Sequence, residues 1–123
     1  MAEAANYTVV KDGDVTLAHP VTSDIDHQYP TFGAPGLSSS TANADRPVLL
    51  LKVNHAADDA GLEVTLNGTV IHTQTFSAGP IPSLNEVLTH GQLLAAGNIL
   101  SIANRGSGPF TVSDIMVKYK VNV

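Results

Sequence analysis

Between residues 61 and 121 apolar and polar side chains alternate with the period of a β-strand. In 62–66, Leu62, Val64 and Leu66 fall on one face and Glu63 and Thr65 on the other, the pattern of a half-buried strand. Asn67-Gly68 separates this run from a second one over 69–76. Asn-Gly suits a type I′ hairpin turn, because both residues accept positive φ at low cost. A closing strand is predicted over 110–121, where Val112, Ile115, Val117, Tyr119 and Val121 are apolar with Lys118 and Lys120 between them. Its parity breaks at Ser113-Asp114, which predicts a bend or bulge.

The remaining elements are shorter. Residues 6–10 and 15–18 read as two strands around Asp12-Gly13-Asp14, a terminal hairpin. Residues 48–54 (VLLLKVN) form a near-continuous apolar run after Pro47, which predicts a fully buried central strand with Lys52 as its one outward charge. The connector at 78–82 leads into an extended segment over 83–88. Residues 89–96 predict about two helical turns, with Leu93 and Leu94 toward the core and Gly97 as the stop. Residues 98–104 form a strand in which Ile99 opposes Leu100 and Ile102. Residues 19–45 read as one long loop, with room for a short strand near Ile25. A connector beyond ~15 residues in a compact domain is usually functional or disordered. The sum is about eight short strands with frequent turns, one short helical segment and no βα repeat. This pattern predicts a single all-β domain over 1–123, an antiparallel β-sandwich of jelly-roll type.

The order strand, "LNG", return strand, "LLAAGNILSIANRG", then "VSDIMVKYKV" resembles the galactose-binding-like β-sandwich (jelly-roll) superfamily. The residues that carry the resemblance are Leu93, Leu94, Gly97, Asn98, Leu100 and Ile102, then Asp114 and Ile115. They cover the C-terminal half only and describe packing and turns. The resemblance implies a sandwich with a binding or assembly role, as in carbohydrate-binding modules and small lectins. It also implies ligands on loops at one end of the sandwich or on its concave face, and a calcium ion near the start of the sandwich in many members.

Composition narrows the partners. Charged residues make up 14% of the chain and hydrophobic ones 43%, so the surface is covered largely by small and polar side chains. That suits a chain that packs against copies of itself. The net charge of −5 is lopsided: residues 1–61 hold eight acidic and three basic side chains, and residues 62–123 three of each. With no basic cluster, nucleic acid and anionic membranes are poor partners. No apolar run approaches the ~18 residues of a membrane span. No signal peptide is expected at MAEAANYTVV, a reading that leaves the compartment open. The absence of cysteine excludes disulfides, thiolate catalysis and thiolate zinc sites.

Candidate chemistry lies in the predicted loops. Asp24 and Asp26 sit two apart with His27 beside them, and could hold calcium, which takes six to eight oxygen ligands. Asp12-Gly13-Asp14 and Asp58-Asp59 are further pairs, and solvated turn residues explain all of them equally. The five histidines show no zinc-protease spacing. No G-x-S-x-G elbow is present, and the carboxylates suggest no glycosidase pair, so a non-catalytic protein is expected. A sugar-binding site would use polar side chains rather than an aromatic platform, because aromatic content is 5% and tryptophan is absent. The candidate ligand-binding residues are Asp24, Asp26, His27, Tyr29, His55, Asn104 and Arg105. Tyr29 and Phe32 equally suit a role in pinning the long loop to the sandwich. His72 alternates with Ile71 and is expected to face solvent. The two functions that follow are a carbohydrate-binding or lectin-like module and a homo-oligomeric assembly protein without a small-molecule ligand.

Overall fold

The computed structural model describes residues 3–17, 25–39, 45–56, 59–76, 84–89 and 91–122. Eight strands run in chain order: β1 (Glu3–Leu17), β2 (Ile25–Gln28), β3 (Val48–Ala56), β4 (Gly61–Leu66), β5 (Thr69–Thr75), β6 (Leu84–Val87), β7 (Leu100–Asn104) and β8 (Phe110–Asn122). They form two antiparallel sheets, in the orders β1-β8-β3-β6 and β2-β7-β4-β5. Each strand thus pairs with the one counted equally far from the other end of the chain: β1 with β8, β2 with β7, β3 with β6, β4 with β5. Two further pairings, β3 with β8 and β4 with β7, close the rolled ribbon. This is the strand order of an eight-stranded jelly roll, and the expected all-β sandwich is what the chain forms.

The core lies between the sheets. Leu49, Leu51 and Val53 of β3 and Val112, Ile115 and Val117 of β8 face Leu62, Val64 and Leu66 of β4 and Leu100 and Ile102 of β7. Tyr29, Leu88 and Leu93 close one end. Phe76 and Phe110 belong to the other, with ring centroids 6.4 Å apart and planes tilted by 57°. The hairpin turn is type I′, with Asn67 at φ 51° and Gly68 at φ 84°.

Several expectations change. The run 48–54 is buried on one face only: Leu49 is 1% exposed, whereas Val48 and Leu50 are half-buried on the outer face of the first sheet. A continuous apolar run therefore does not mark a strand covered on both sides here. The N-terminal hairpin is instead one 15-residue strand paired with β8 throughout. Its Asp12-Gly13 step is a register irregularity opposite the predicted bulge in β8. Gly13 takes φ +97°, Asp114 takes φ +53°, and the Gly13 N–H donates to Asp114 Oδ1 at 3.2 Å. The long loop contains β2, and its residues 29–37 pack along the sandwich.

The predicted helical turns at 89–96 are absent among the described residues, which there form a turn and bends. The reason is Asn98. Its Oδ1 accepts the Leu94 N–H at 2.8 Å, and its Nδ2 donates to the Leu94 carbonyl at 2.7 Å and to the Phe32 carbonyl at 3.1 Å. The Ala95 carbonyl is taken by the Ala34 N–H at 2.9 Å. Backbone groups that a helix would pair internally are satisfied by a side chain and a neighbouring loop. Leu93 reaches the core, but Leu94 is 46% exposed.

Candidate functional site

One end of the sandwich is built from two turn segments, at 59–61 and 105–108, locked to each other and to Phe76 after β5. The Ser107 N–H donates to the Asp59 carbonyl at 2.8 Å, the Arg105 N–H to the Gly61 carbonyl at 2.8 Å, and the Asp59 N–H to the Phe76 carbonyl at 3.0 Å. The approach requires glycine at two places. A Cβ on Gly106 would fall onto the Asp59 carbonyl and the Gly61 nitrogen, and one on Gly61 would meet the Gly106 nitrogen at 2.6 Å. Asn104 is the hub. It is fully buried, its Oδ1 accepts the N–H groups of Gly61 at 3.3 Å and Gly106 at 3.0 Å, and its Nδ2 donates to the Gly108 carbonyl at 2.8 Å.

This frame sets Arg105 on the outer face of the second sheet. Its Nε and terminal guanidinium nitrogen both lie 3.3 Å from Glu63 Oε1. Around the pair is a shallow depression of about 240 Å³, lined by Gly61, Leu62, Thr73, Gln74 and Thr75 besides Glu63 and Arg105. Register explains the grouping. Glu63 opposes Ala103 on one side and Thr73 on the other, so these positions form one row across three strands. Asp26 of β2 opposes Ala103 and extends the row to the fourth strand. The lining carries hydroxyl, carboxylate and guanidinium groups, with one positive and one negative charge; Gln74 contributes backbone, its amide being turned to His72 on the other face. The lining can exchange hydrogen bonds with a small polar ligand and has no nucleophile–base pair.

The expected site residues divide. Arg105 lies in the depression. Asn104 lies directly behind it, but its amide is occupied by backbone. Asp26 and His27 are on β2, opposite Ala103 and Ile102, and His55 is on β3 opposite Thr111. Asp24 lies outside the described residues, as do His19, Asp58, His90 and the connector at 78–82. Tyr29 belongs near the opposite end, where its N–H donates to the Leu100 carbonyl at 3.0 Å. It is 2% exposed, and burial pushes its phenol up to about 12. Its position is that of the loop-pinning role. Among the described residues, no three of His, Asp and Glu gather closely enough to hold a metal ion. His72 is half-buried rather than open to solvent, with Nε2 3.1 Å from Gln74 Oε1 and Nδ1 3.7 Å from Glu86 Oε2. Glu63, Thr73, Gln74 and Thr75 were not expected at a site. For Glu63, Thr73 and Thr75 the signal was the polar parity of the hairpin arms, which reads first as a solvated face.

No protein-family model matches the sequence, and no curated protein matches it. Solved structures do. A chain of infectious bursal disease virus, Gx strain, matches over 98% of this chain with a TM-score of 0.53 and 12% identity. Dimeric latent PorU from Porphyromonas gingivalis matches over 99% with a TM-score of 0.58 and 13% identity. This chain spans only 32% and 13% of those two chains, respectively. A CBM36-1 domain of a xylanase from the hindgut metagenome of Trinervitermes trinervoides is matched over its whole length, at a TM-score of 0.42 and 12% identity. At these identities the likeness establishes the fold alone, a jelly-roll β-sandwich. Among the described residues no helix is long and apolar enough to cross a membrane.

Proposed function

We propose that this chain is a small non-catalytic carbohydrate-binding domain of the galactose-binding-like kind, and that it takes one or two neutral sugar units. The observation that carries the reading is the depression around the Arg105–Glu63 pair. A planar guanidinium beside a carboxylate sets fixed donors next to fixed acceptors, which matches vicinal hydroxyls of a sugar ring. Thr73 and Thr75, which share the face of Glu63, add hydroxyl donors and acceptors along one rim. The absence of net charge in the lining favours a neutral ligand over an acidic one. At about 240 Å³ the depression falls below the ~300–1,000 Å³ of deep ligand pockets, so weak binding of a short saccharide is expected. Asp26, at the fourth position of the row, is the candidate extension of the site; His27 and His55 border the same end of the sheets.

Isothermal calorimetry against neutral and acidic mono- and disaccharides tests this reading. Millimolar binding of a neutral sugar that Arg105→Ala and Glu63→Gln abolish, with melting temperature held, supports it. Failure of every neutral sugar to bind at tens of millimolar overturns it.

A second reading, a homo-oligomeric assembly protein with no small-molecule ligand, is favoured by a different observation. Tyr7, Val9 and Val87 stand in the open on the other sheet. Light scattering across a concentration series tests it, and a monomer at every concentration contradicts it.

A further inference from the structure

The middle of the outer face of the first sheet is apolar where a solvent-facing sheet is ordinarily polar, and Lys52, Asp114 and Lys120 flank it. Two adjacent rows cross it. Tyr7, Lys118, Val48 and Val87 occupy one, and Val9, Met116, Leu50 and Asn85 the next. Tyr7 is 61% exposed, Val87 51% and Val9 49%. The neighbours that alternate with them, Val117, Leu49 and Leu51, are buried in the core, so the two faces are unambiguous. Tyr7, Met116 and Lys118 border a shallow hollow of about 410 Å³. The second sheet differs: around Glu63 and Arg105 its outer face is small and polar, with Val70 and Ile99 exposed only toward the hairpin end.

We infer that this face is covered by the same face of a second copy, the two sheets stacked with β8 antiparallel to its counterpart about a two-fold axis at the Met116 row. The inference rests on the second reading above, self-association, and adds its surface and symmetry. Two arguments carry it. The first is area. The whole sheet, with strands ~4.8 Å apart that run from four residues in β6 to fifteen in β1, covers roughly 600 Å² before side-chain relief, of the order of the ~800 Å² that each partner of a stable complex buries. Aligned sheet-on-sheet packing would cover that area in one contact.

The second argument is charge. Lys118 lies two residues to one side of Met116 and Asp114 two residues to the other, both exposed on β8. A two-fold axis perpendicular to the strands, in the plane between the sheets, sets each Lys118 against Asp114 of the other copy. It also brings Val9, Met116 and Leu50 onto their own equivalents. An axis parallel to the strands would set Lys118 on Lys118, a like-charge contact that is unfavourable. The antiparallel stack is therefore the arrangement this face fits.

The chain has no cysteine, so single thiols report the arrangement cleanly. Stacked sheets lie ~10 Å apart, beyond direct disulfide reach, so a short bis-maleimide is the probe. Met116→Cys and, on the second sheet, Thr73→Cys are compared after sedimentation equilibrium of the unmodified protein. The expected result is a concentration-dependent dimer, efficient cross-linking of Met116→Cys and little of Thr73→Cys. Val9→Glu, with its melting curve measured alongside, raises the dissociation constant roughly tenfold or more. A monomer at all concentrations overturns both this inference and the self-association reading. A dimer in which Met116→Cys cross-links no better than Thr73→Cys overturns the arrangement and leaves self-association standing by another surface.

Discussion

Asn104 is where a structural and a ligand-binding role separate most sharply. Asn104→Ala removes one acceptor that serves two N–H groups and one donor that serves a carbonyl. Gly61 and Gly108 are buried, so their orphaned N–H and carbonyl cannot recover hydrogen bonds from water without opening the turn. Each such group costs ~1–3 kcal/mol when left unpaired. Gly106 is partly exposed and regains water at little cost. The expected loss is therefore about 2–6 kcal/mol, centred near 3–4, against a total stability of ~5–15 kcal/mol for a domain of this size. A loss of ~3 kcal/mol lowers the melting temperature of such a domain by roughly 10 °C. Asn104→Asp is the informative companion. It keeps the acceptor for Gly61 and Gly106 but turns a carboxylate oxygen toward the Gly108 carbonyl, so it too destabilises. Urea unfolding followed by circular dichroism gives both values. If Asn104→Ala loses less than about 0.5 kcal/mol, within the range of an ordinary surface change, the two turn segments are not held as described.

Three further perturbations are readable in the same assay. Gly68→Val is destabilised by roughly 1–2 kcal/mol through conformation alone, since Gly68 sits at φ +84° and an added Cβ meets no atom within 4 Å; an unchanged melting temperature removes the type I′ assignment. Leu49→Ala costs about 2–5 kcal/mol, whereas Leu50→Ala, on the outer face, costs distinctly less in the monomer; equal losses contradict the one-sided burial of β3. Tyr29 supplies a pH signature. Burial raises its phenol from 10.0 to about 12, so the native state holds that proton more tightly than the unfolded chain. Its contribution is complete below pH 10 and is lost as pH rises from about 10 to about 12, a fall of the order of 2–3 kcal/mol that Tyr29→Phe removes. A variant that keeps the same alkaline fall contradicts this account of Tyr29.

The strands were legible because their cause is local. Leu62, Val64 and Leu66 declare a buried face by parity alone, and Asn67-Gly68 declares the turn by its tolerance of positive φ. The parity break at Ser113-Asp114 likewise marked the bulge. What local pattern does not carry is the identity of the partner. Residues 12–13 look like a hairpin turn until β8 is known to lie alongside all of β1 with a bulge of its own at Asp114. The apolar run 48–54 looks buried on both sides because side-chain type cannot distinguish a core neighbour from an unpartnered outer face. Leu93 and Leu94 suit a helix, but the Asn98 side chain takes the backbone groups of Leu94. Of the residues that line the depression, Arg105 stood out in the sequence by its Gly-flanked turn. Asn104, one residue earlier, was indistinguishable from a ligand donor until the glycines packed around it were in view. Glu63 and the threonines of β5 join Arg105 in one depression only through the register of the sheet.

Under the proposed function, the outer face of the second sheet binds a neutral saccharide at Arg105 and Glu63. The most direct measurement is a nitrogen-15 NMR titration of the folded protein with neutral mono- and disaccharides at millimolar concentrations. Saturable shifts of the amides of Gly61, Glu63, Thr73, Thr75 and Arg105 are expected, with Tyr7, Val9 and Met116 unmoved. Saccharides that leave all five amides in place, or that shift only residues of the first sheet, would contradict it.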